Sequence, residues 1–227
     1  CLLYEWGRIP LEELLRRVYT RAAGRPRGLL QRAFERMSLA PHVRETIAEL
    51  RRRGHEVWLA SAGVPQHIID ELARRTGADG GAGLDVECDG ERFTGRVSGD
   101  LAMTGGKKLF VDRLLAERGL DWSRVAAVGD DRNNIEVLDR AGVGIGFKAT
   151  YSVRRRVRFL VDSGDFADLP RLVSREPGPP AAAERPPAGG HAPDRVWTQE
   201  LRRKLVHAAA ALTPLAHRRH PEAVFPL

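Results

Sequence analysis

The stretch Val125-Ala126-Ala127-Val128-Gly129-Asp130-Asp131-Arg132-Asn133-Asn134 joins a short apolar run to a polar turn. The residues that follow predict a helix at 133–141 and a second apolar strand at 143–147, which is typical of a strand–helix–strand unit. An apolar run at 56–60 and a helical pattern at 65–76 repeat this order upstream. Strands and helices that alternate at this spacing predict an α/β fold with a Rossmann-like parallel sheet.

Further elements surround the predicted sheet. Residues 84–97 alternate between polar and apolar side chains around Asp89-Gly90, which predicts a hairpin. In a parallel sheet, ligands bind beyond the carboxyl ends of the strands, so the residues that follow each strand are the candidate site residues. The remaining predictions are helices at 10–19, 27–37, 41–53 and 107–118, and a further strand near 159–161.

The composition indicates a globular protein with an appendage. Hydrophobic residues make up 42% of the 227 residues and charged residues 30%, which excludes a fibrous or wholly disordered chain. Two cysteines exclude a disulfide scaffold and a cysteine-rich zinc module. A Pro/Gly/Ala-rich stretch at 175–197 predicts a linker. We therefore expect a partial helical cap at 1–38, an α/β core at 39–174, this linker, and a helical segment at 198–227.

Ser61-Ala62-Gly63 follows the first predicted strand. A hydroxyl group and free backbone N–H groups at the start of a helix can bind an anion. A serine at such a position is also a common N-cap of a helix. Both interpretations stay open.

Asp130 and Asp131 follow the strand at 125–129. Adjacent carboxylates at a sheet edge repel each other unless a cation lies between them, and oxygen ligands beside a substrate phosphate favour Mg²⁺. A turn rich in aspartate and asparagine that caps the next helix explains the same residues equally well. Lys107 begins a predicted helix and is either a solvated surface charge or, if it reaches inward, the partner of a phosphoryl group. We prefer it to Lys108.

The order of these signals resembles the haloacid dehalogenase superfamily, and most closely its phosphoserine phosphatase-like branch. The resemblance rests on a serine at one strand end, a lysine at a helix start after a hairpin, and Gly-Asp-x-x-Asn at the next strand end. It covers roughly residues 40–172 and includes Phe93-Thr94-Gly95-Arg96-Val97-Ser98-Gly99-Asp100. It implies a Mg²⁺-dependent hydrolase in which an aspartate attacks the phosphoryl group and forms an aspartyl-phosphate. The preceding helices would form a cap over the site.

The resemblance also assigns roles to residues of this chain. Eight residues are implied in three roles: catalysis by Lys107 and Asp130; phosphate binding by Ser61, Ala62, Gly63, Lys107 and Asn133; and metal binding by Asp130, Asp131 and Asn134.

Two departures from the family pattern matter. The family's last motif usually has aspartate where this chain has Asn134, which weakens the expected Mg²⁺ site unless Asp131 compensates. The nucleophile motif, Asp-x-Asp-x-Thr after an apolar strand, is absent. The similar run Val161-Asp162-Ser163-Gly164-Asp165 matches the family's closing strand instead. We therefore expect the nucleophile to lie upstream of Cys1 in a longer protein, and we expect this fragment to lack hydrolytic activity.

The segment at 198–227 contains Glu200-Leu201-Arg202-Arg203-Lys204-Leu205-Val206-His207 followed by an apolar helical pattern. It resembles the start of a dolichol kinase and phosphatidate cytidylyltransferase-like membrane domain; an amphipathic terminal helix is the simpler alternative. The net charge of +7 is associated with runs of arginine that are scattered along the sequence. We find no aromatic residues interleaved within these runs. We therefore expect an anionic membrane surface as a partner through the C-terminal segment, and no nucleic acid.

These observations predict a phosphoserine phosphatase-like hydrolase of a small or lipid-linked phosphomonoester, as part of a lipid-pathway fusion protein. We expect it in the cytoplasm, at the inner face of the membrane in the full-length protein. The alternative is a non-catalytic domain that binds a phospho-ligand and regulates an attached membrane lipid kinase. A nucleic-acid binder that depends on the positive charge is a further alternative.

Overall fold

The computed structural model of the chain describes residues 2–173, which hold the predicted core and the helices before it. The predicted linker at 175–197 and the helical segment predicted at 198–227 lie outside these residues. The helices are α1 Leu2–Glu5, α2 Leu11–Thr20, α3 Gly28–Glu35, α4 Val43–Arg52, α5 Gln66–Thr76, α6 Gly106–Arg118, α7 Ile135–Arg140, α8 Tyr151–Arg154 and α9 Pro170–Val173. The strands are β1 Trp58–Pro65, β2 Gly80–Asp89, β3 Arg92–Ser98, β4 Ala126–Gly129, β5 Val143–Phe147 and β6 Phe159–Val161.

The six strands form two three-stranded sheets. In the first sheet β2 lies between β1 and β3; β1 and β2 are parallel, and β2 and β3 form the antiparallel hairpin predicted around Asp89-Gly90. In the second sheet β5 lies between β4 and β6, and all three strands are parallel. Parallel strands joined by helices confirm the predicted α/β fold. Within residues 2–173, β1 is one of the two edge strands of the first sheet, and β4 is one of the two edge strands of the second.

Helix α6 connects the two sheets. It packs on β1 of the first sheet and on α7, which in turn packs on β4 and β5 of the second. At β1, the rings of Trp58 and Phe110 meet edge to face with their centres 6.2 Å apart. Helix α6 therefore lies between the first sheet and α7, and α7 packs on the second sheet.

The first strand differs from its prediction. We expected it to span residues 56–60, but β1 begins at Trp58 and continues to Pro65. Its pairing with β2 is regular only as far as Ala60, which lies opposite Ala82. The next paired residue of β1 is five positions further on, whereas its partner on β2 has advanced by only two. The residues between them therefore bulge out of the sheet, a feature that apolar periodicity cannot reveal.

Helix α2 covers the first sheet. Leu11, Leu15 and Tyr19 recur every four residues, which places them on one face of the helix. This face is buried against Leu84 of β2 and Leu101. The helix predicted at 10–19 is thus confirmed, and its apolar side chains close one side of the first sheet.

Candidate functional site

Asp130 and Asp131 lie directly beyond β4, at the carboxyl end of the second sheet. Asp131 caps a short 3₁₀ turn formed by residues 132–134, because its Oδ1 accepts a hydrogen bond from the backbone N–H of Asn133 at 3.0 Å. The carbonyl oxygen of Asp130 accepts one from the backbone N–H of Thr150 at 2.7 Å. The capping interpretation therefore holds for Asp131, and the same turn keeps both aspartates at the sheet edge.

A partly buried hydrogen-bond network joins this turn to helix α6. The ammonium nitrogen of Lys107 donates to Oδ1 of Asn134 at 2.6 Å. The amide nitrogen of Asn134 in turn donates to Oδ1 of Asp130 at 3.1 Å and to Oδ1 of Asp131 at 2.9 Å. The side chains of four of the eight predicted site residues are therefore brought together by direct contacts.

Two glycines permit this close approach. A Cβ atom at Gly106 would lie 1.8 Å from the carbonyl oxygen of Asp100, so only glycine fits where α6 begins. A Cβ atom at Gly129 would lie 2.5 Å from the Cβ of Asn134. Real Cβ atoms do not approach other heavy atoms this closely, so both positions require glycine. The two glycines thus allow the start of α6 to lie against Asp100 and the end of β4 to lie against Asn134.

Burial shifts the pKa values of Asp131 and Lys107 in this network. Burial raises the pKa of Asp131 to about 6; the negative charge of Asp130 adds to the rise, and Lys107 opposes it. Burial also lowers the pKa of Lys107, while the charges of Asp131 and Asp130 oppose that change. Each shift reflects the cost of holding a charge away from water. A cation beside the carboxylates would reduce the repulsion between them.

The chemistry of the turn fits Mg²⁺. Asp130 and Asp131 supply two hard oxygen donors, and Mg²⁺ in phosphate-processing sites is commonly held by one or two carboxylates together with water and substrate. The side-chain oxygen of Asn134 is directed to Lys107, so its NH₂ group faces the two aspartates. In the part of the chain that the structure describes, no group of three or more His, Cys, Asp or Glu side chains is placed to hold a metal.

Ser61-Ala62-Gly63 lies in the bulge of β1. The Ser61 hydroxyl accepts a hydrogen bond from the backbone N–H of Gly63 at 3.3 Å, and the Gly63 carbonyl accepts one from the hydroxyl of Tyr19 at 3.1 Å. The alternative in which Ser61 caps a helix is wrong, because α5 begins at Gln66 with Pro65 in the capping position. Within residues 2–173, no hydrogen bond joins this bulge to the turn at Asp130.

Gln66 holds the bulge in place and was not predicted. Its Oε1 accepts a hydrogen bond from the backbone N–H of Gly83 at 2.7 Å, and its Nε2 donates to the carbonyl oxygen of Gly81 at 3.1 Å. The side chain thus satisfies backbone groups of β2 where β1 leaves the ladder. No sequence signal marks this residue, because its role depends on a bulge that becomes visible only in the folded chain.

A further carboxylate near the turn was also not predicted. Glu5 of α1 accepts a hydrogen bond from the hydroxyl of Ser152 at 3.3 Å, and its charge adds to the raised pKa of Asp131. Asn133, which was predicted to bind phosphate, contributes its backbone N–H to the cap of the turn. Among residues 2–173 the Asn133 side chain makes no hydrogen bond.

Comparison with known proteins gives a consistent assignment. The sequence model of the haloacid dehalogenase-like hydrolase family matches residues 1–139. A phosphoserine phosphatase from Streptomyces coelicolor is 30% identical over 156 residues, which is 69% of this chain and 38% of that protein. A phosphoserine phosphatase from Archaeoglobus fulgidus is 30% identical over 143 residues, 63% of this chain and 41% of that protein. The chain thus spans about two fifths of the length of these relatives.

Solved structures share the fold. A substrate-bound phosphoserine phosphatase complex superposes with a TM-score of 0.70 at 22% identity, covering 74% of this chain and 80% of that one. A probable phosphoserine phosphatase from Vibrio cholerae superposes with a TM-score of 0.67 at 23% identity, covering 76% and 53%. Since the family model matches more than half of the sequence, this chain belongs to the haloacid dehalogenase-like hydrolase family.

Proposed function

We propose that the chain carries the phosphate-binding and metal-binding residues of a phosphoserine phosphatase-like hydrolase, which cleaves phosphomonoesters through an aspartyl-phosphate. The observation that carries the proposal is the contact of Lys107 with Asn134, which in turn holds Asp130 and Asp131. One cationic group and two carboxylates thus meet at the carboxyl ends of parallel strands, where such sheets bind ligands. This combination suits a phosphoryl group, because the lysine can bind its oxygens and the acids can hold a cation beside it.

In this proposal Asp130 and Asp131 would hold Mg²⁺, which when bound supplies positive charge beside the phosphoryl oxygens. Asn134 positions the two carboxylates through its NH₂ group. Lys107 would donate N–H groups to a phosphoryl oxygen and stabilise the charge that develops there. Its fixed contact with Asn134 keeps the ammonium group in place before the substrate arrives.

The bulge in β1 is the second phosphate-binding element that we propose. Residues 61–64 leave the ladder between β1 and β2, which releases polar backbone groups at the end of a parallel strand. The Ser61 hydroxyl and the N–H groups of Ala62 or Gly63 would donate to the remaining phosphoryl oxygens. Gln66 fixes the neighbouring backbone of β2, and the Gly63 N–H, which donates to the Ser61 hydroxyl at 3.3 Å, would turn to the phosphoryl oxygen when substrate binds.

We further propose that the nucleophilic aspartate is carried by a strand that lies between β1 and β4. Both are edge strands among residues 2–173; helix α6 packs on β1 and on α7, and α7 packs on β4. Val128 of β4 is 42% exposed, although strands of a parallel sheet are normally covered on both faces. An inserted strand would cover it and would bring the Ser61 bulge and the Asp130 turn to two sides of one site.

The reaction would then proceed in two displacements. The aspartate carboxylate attacks phosphorus, the bond to the alcohol oxygen breaks, and an acid on the same strand protonates the alcohol. Water then attacks phosphorus and gives its proton to the same group, which now acts as a base; the bond between phosphorus and the aspartate oxygen breaks, and phosphate leaves. Because the Asp-x-Asp-x-Thr motif is absent from the 227 residues, the proposal assigns this strand to residues outside them.

The substrate class is a further part of the proposal. The names of the relatives favour phosphoserine, and the membrane-like segment at 198–227 favours a lipid-linked phosphomonoester. Every helix among residues 2–173 is too short or too polar to cross a bilayer. The second candidate function is a non-catalytic domain that binds phosphate; it is favoured by Asn134, which replaces a carboxylate of the family pattern.

The experiment compares this chain with the polypeptide encoded by the complete reading frame that contains it. Phosphate release from phosphoserine and from p-nitrophenyl phosphate is measured with and without Mg²⁺, for the wild type, Asp130→Asn and Lys107→Ala. We expect Mg²⁺-dependent release by the long form and at least a hundredfold loss in both variants. Phosphate binding without release by the long form would instead establish the non-catalytic function. Full activity of either variant would refute the assigned roles.

A further inference from the structure

Helix α1 is held against the turn that follows β4. The guanidinium of Arg132, the residue after Asp131, donates to the carbonyl oxygen of Glu5 at 3.5 Å. A Cβ atom at Gly7 would overlap the same guanidinium, so the backbone after α1 passes directly against it. The carboxylate of Glu5 also accepts a hydrogen bond from the hydroxyl of Ser152 at 3.3 Å. The end of α1 is therefore tied to the turn that carries the aspartates.

Tyr4 of the same helix extends to the other half of the proposed site. Its side chain is 9% exposed and belongs to the buried cluster that contains Ala62, the middle residue of the β1 bulge. Its neighbour in the chain, Glu5, is bonded to Arg132 of the turn. Tyr4 therefore joins the bulge to which we assign phosphate binding and the turn to which we assign the cation.

The hydroxyl group of Tyr4 has no hydrogen-bond partner among residues 2–173. The charges of Asp131 and Arg132 act on this hydroxyl, in agreement with the contacts between α1 and the turn. Burial raises the pKa of Tyr4, and the charge of Asp131 adds to the rise, so the hydroxyl keeps its proton and can act as a donor. A buried polar group without a partner is rare in folded proteins, and it points to a ligand that satisfies it.

The other two tyrosines differ from Tyr4 in this respect. Tyr19 belongs to the same cluster and is 4% exposed, but its hydroxyl donates to the carbonyl oxygen of Gly63 at 3.1 Å. Tyr151 is 59% exposed, so water can satisfy its hydroxyl. Among the three tyrosines of the sequence, only Tyr4 thus combines a buried side chain with a hydroxyl that lacks a partner in the part of the chain that the structure describes.

We propose that the Tyr4 hydroxyl donates a hydrogen bond to a phosphoryl oxygen of the bound substrate. This inference rests on the proposed function, which places the phosphoryl group between the Ser61 bulge and the Asp130 turn. The competing acceptor is the carboxylate of Asp131. In the proposed function that carboxylate holds Mg²⁺, which leaves the phosphoryl oxygens as the acceptors for Tyr4. The helical cap would then supply a phosphate donor in addition to those of the bulge and Lys107.

The test uses the 227-residue chain with ¹³C at the tyrosine Cζ, the carbon that bears the hydroxyl. Tyr4→Phe identifies the Tyr4 resonance by its loss from the spectrum. Inorganic phosphate is titrated with and without Mg²⁺, and the backbone amides of Ser61, Ala62 and Gly63 are followed in parallel. We expect the Tyr4 resonance and these amides to shift with the same dissociation constant, while the Tyr151 resonance stays unchanged.

Two measurements on variants complete the test. Tyr4→Phe keeps the ring and removes only the donor, so it should bind phosphate about 10- to 100-fold more weakly than the wild type. Tyr151→Phe, the matched control, should bind within about threefold of the wild type. Without phosphate, Tyr4→Phe should unfold at the wild-type temperature or above it, because no hydrogen bond is lost. Tyr19→Phe loses its bond to Gly63 and should unfold about 2 to 4 °C lower.

The outcomes separate this inference from the proposed function. Phosphate that shifts the amides of the bulge but neither the Tyr4 resonance nor the affinity of Tyr4→Phe would overturn the role of Tyr4 alone. A Tyr4 shift with Mg²⁺ that phosphate does not change would assign the hydroxyl to Asp131 and also overturn it. A lower unfolding temperature of Tyr4→Phe without phosphate would reveal a partner within the fold and do the same. If phosphate shifts neither the amides nor Tyr4, the proposed phosphate site is refuted together with this inference.

Discussion

The ammonium nitrogen of Lys107 lies 2.6 Å from the side-chain oxygen of Asn134, although the two residues are 27 positions apart in the sequence. Because its oxygen is occupied, Asn134 presents its NH₂ group to Asp130 and Asp131. An aspartate at position 134 would pair directly with the lysine and could not donate to either carboxylate. The turn thus keeps two carboxylates, as in the family pattern, but the second lies at position 131.

The Lys107 contact leads to a prediction on stability. Lys107→Met leaves the Asn134 oxygen without its donor and removes the positive charge beside two carboxylates, so we expect the free energy of unfolding to fall by about 2 kcal/mol. Lys108→Met is the matched control, because Lys108 pairs with Asp112 one turn along the same helix. That change should cost less than about 0.5 kcal/mol. Urea denaturation at pH 7 measures both, and equal losses would contradict the assigned contact.

The raised pKa of Asp131 predicts a pH dependence of stability. The group titrates at about 6 in the folded state against 3.8 in the unfolded chain, so the folded state holds a proton that the unfolded chain releases in this window. The free energy of unfolding should therefore fall, by up to about 3 kcal/mol, as the pH rises from 4 to 6. Asp131→Asn keeps an oxygen that can cap the turn and removes the titration.

Between pH 4 and 6 the free energy of unfolding of the wild type should fall relative to that of Asp131→Asn. From pH 6 to 8 the difference between the two proteins should stay constant. Chemical denaturation at half-unit pH steps measures it. Millimolar Mg²⁺ at pH 8 should stabilise the wild type more than the variant, because the cation replaces the missing proton. A difference that is flat from pH 4 to 8 would rule out Asp131 as the perturbed group.

The sequence predicts the turn better than the bulge, for a physical reason. The apolar run of β4 and the Asp and Asn residues after it are adjacent in the sequence. The position of Asp130 at the carboxyl end of a strand can therefore be predicted from the sequence pattern alone. The bulge at Ser61 depends on Gln66 reaching backbone groups of β2, which is a contact between separate elements. Similarly, the proximity of Glu5 to Asp131 joins residues that are far apart in the sequence, so no local pattern predicts it.

Gln66 gives a second prediction on stability. Its substitution by alanine leaves the backbone N–H of Gly83 and the carbonyl of Gly81 without their side-chain partner, which should lower the free energy of unfolding by about 1 to 3 kcal/mol. Gln31→Ala is the control, since Gln31 bonds only to the exposed Glu35 on its own helix and should cost under about 0.5 kcal/mol. Hydrogen exchange should also show faster exchange of the Gly83 amide in Gln66→Ala alone. Protection of that amide in the variant would mean that β1 and β2 pair without the glutamine.

The start of helix α6 gives the last prediction, because backbone packing there sets the position of Lys107. In Gly106→Ala the new methyl group would meet the carbonyl oxygen of Asp100 at 1.8 Å, and backbone atoms cannot move aside as a flexible side chain can. We expect a loss of about 2 to 3 kcal/mol in the free energy of unfolding. In Gly28→Ala, the control, the methyl group meets only the guanidinium of Arg32 at 3.2 Å, and a helical alanine should leave stability unchanged or raise it by up to about 1 kcal/mol. Thermal and urea unfolding of the two variants measure the contrast; a Gly106→Ala protein as stable as the wild type would contradict close packing of α6 against Asp100.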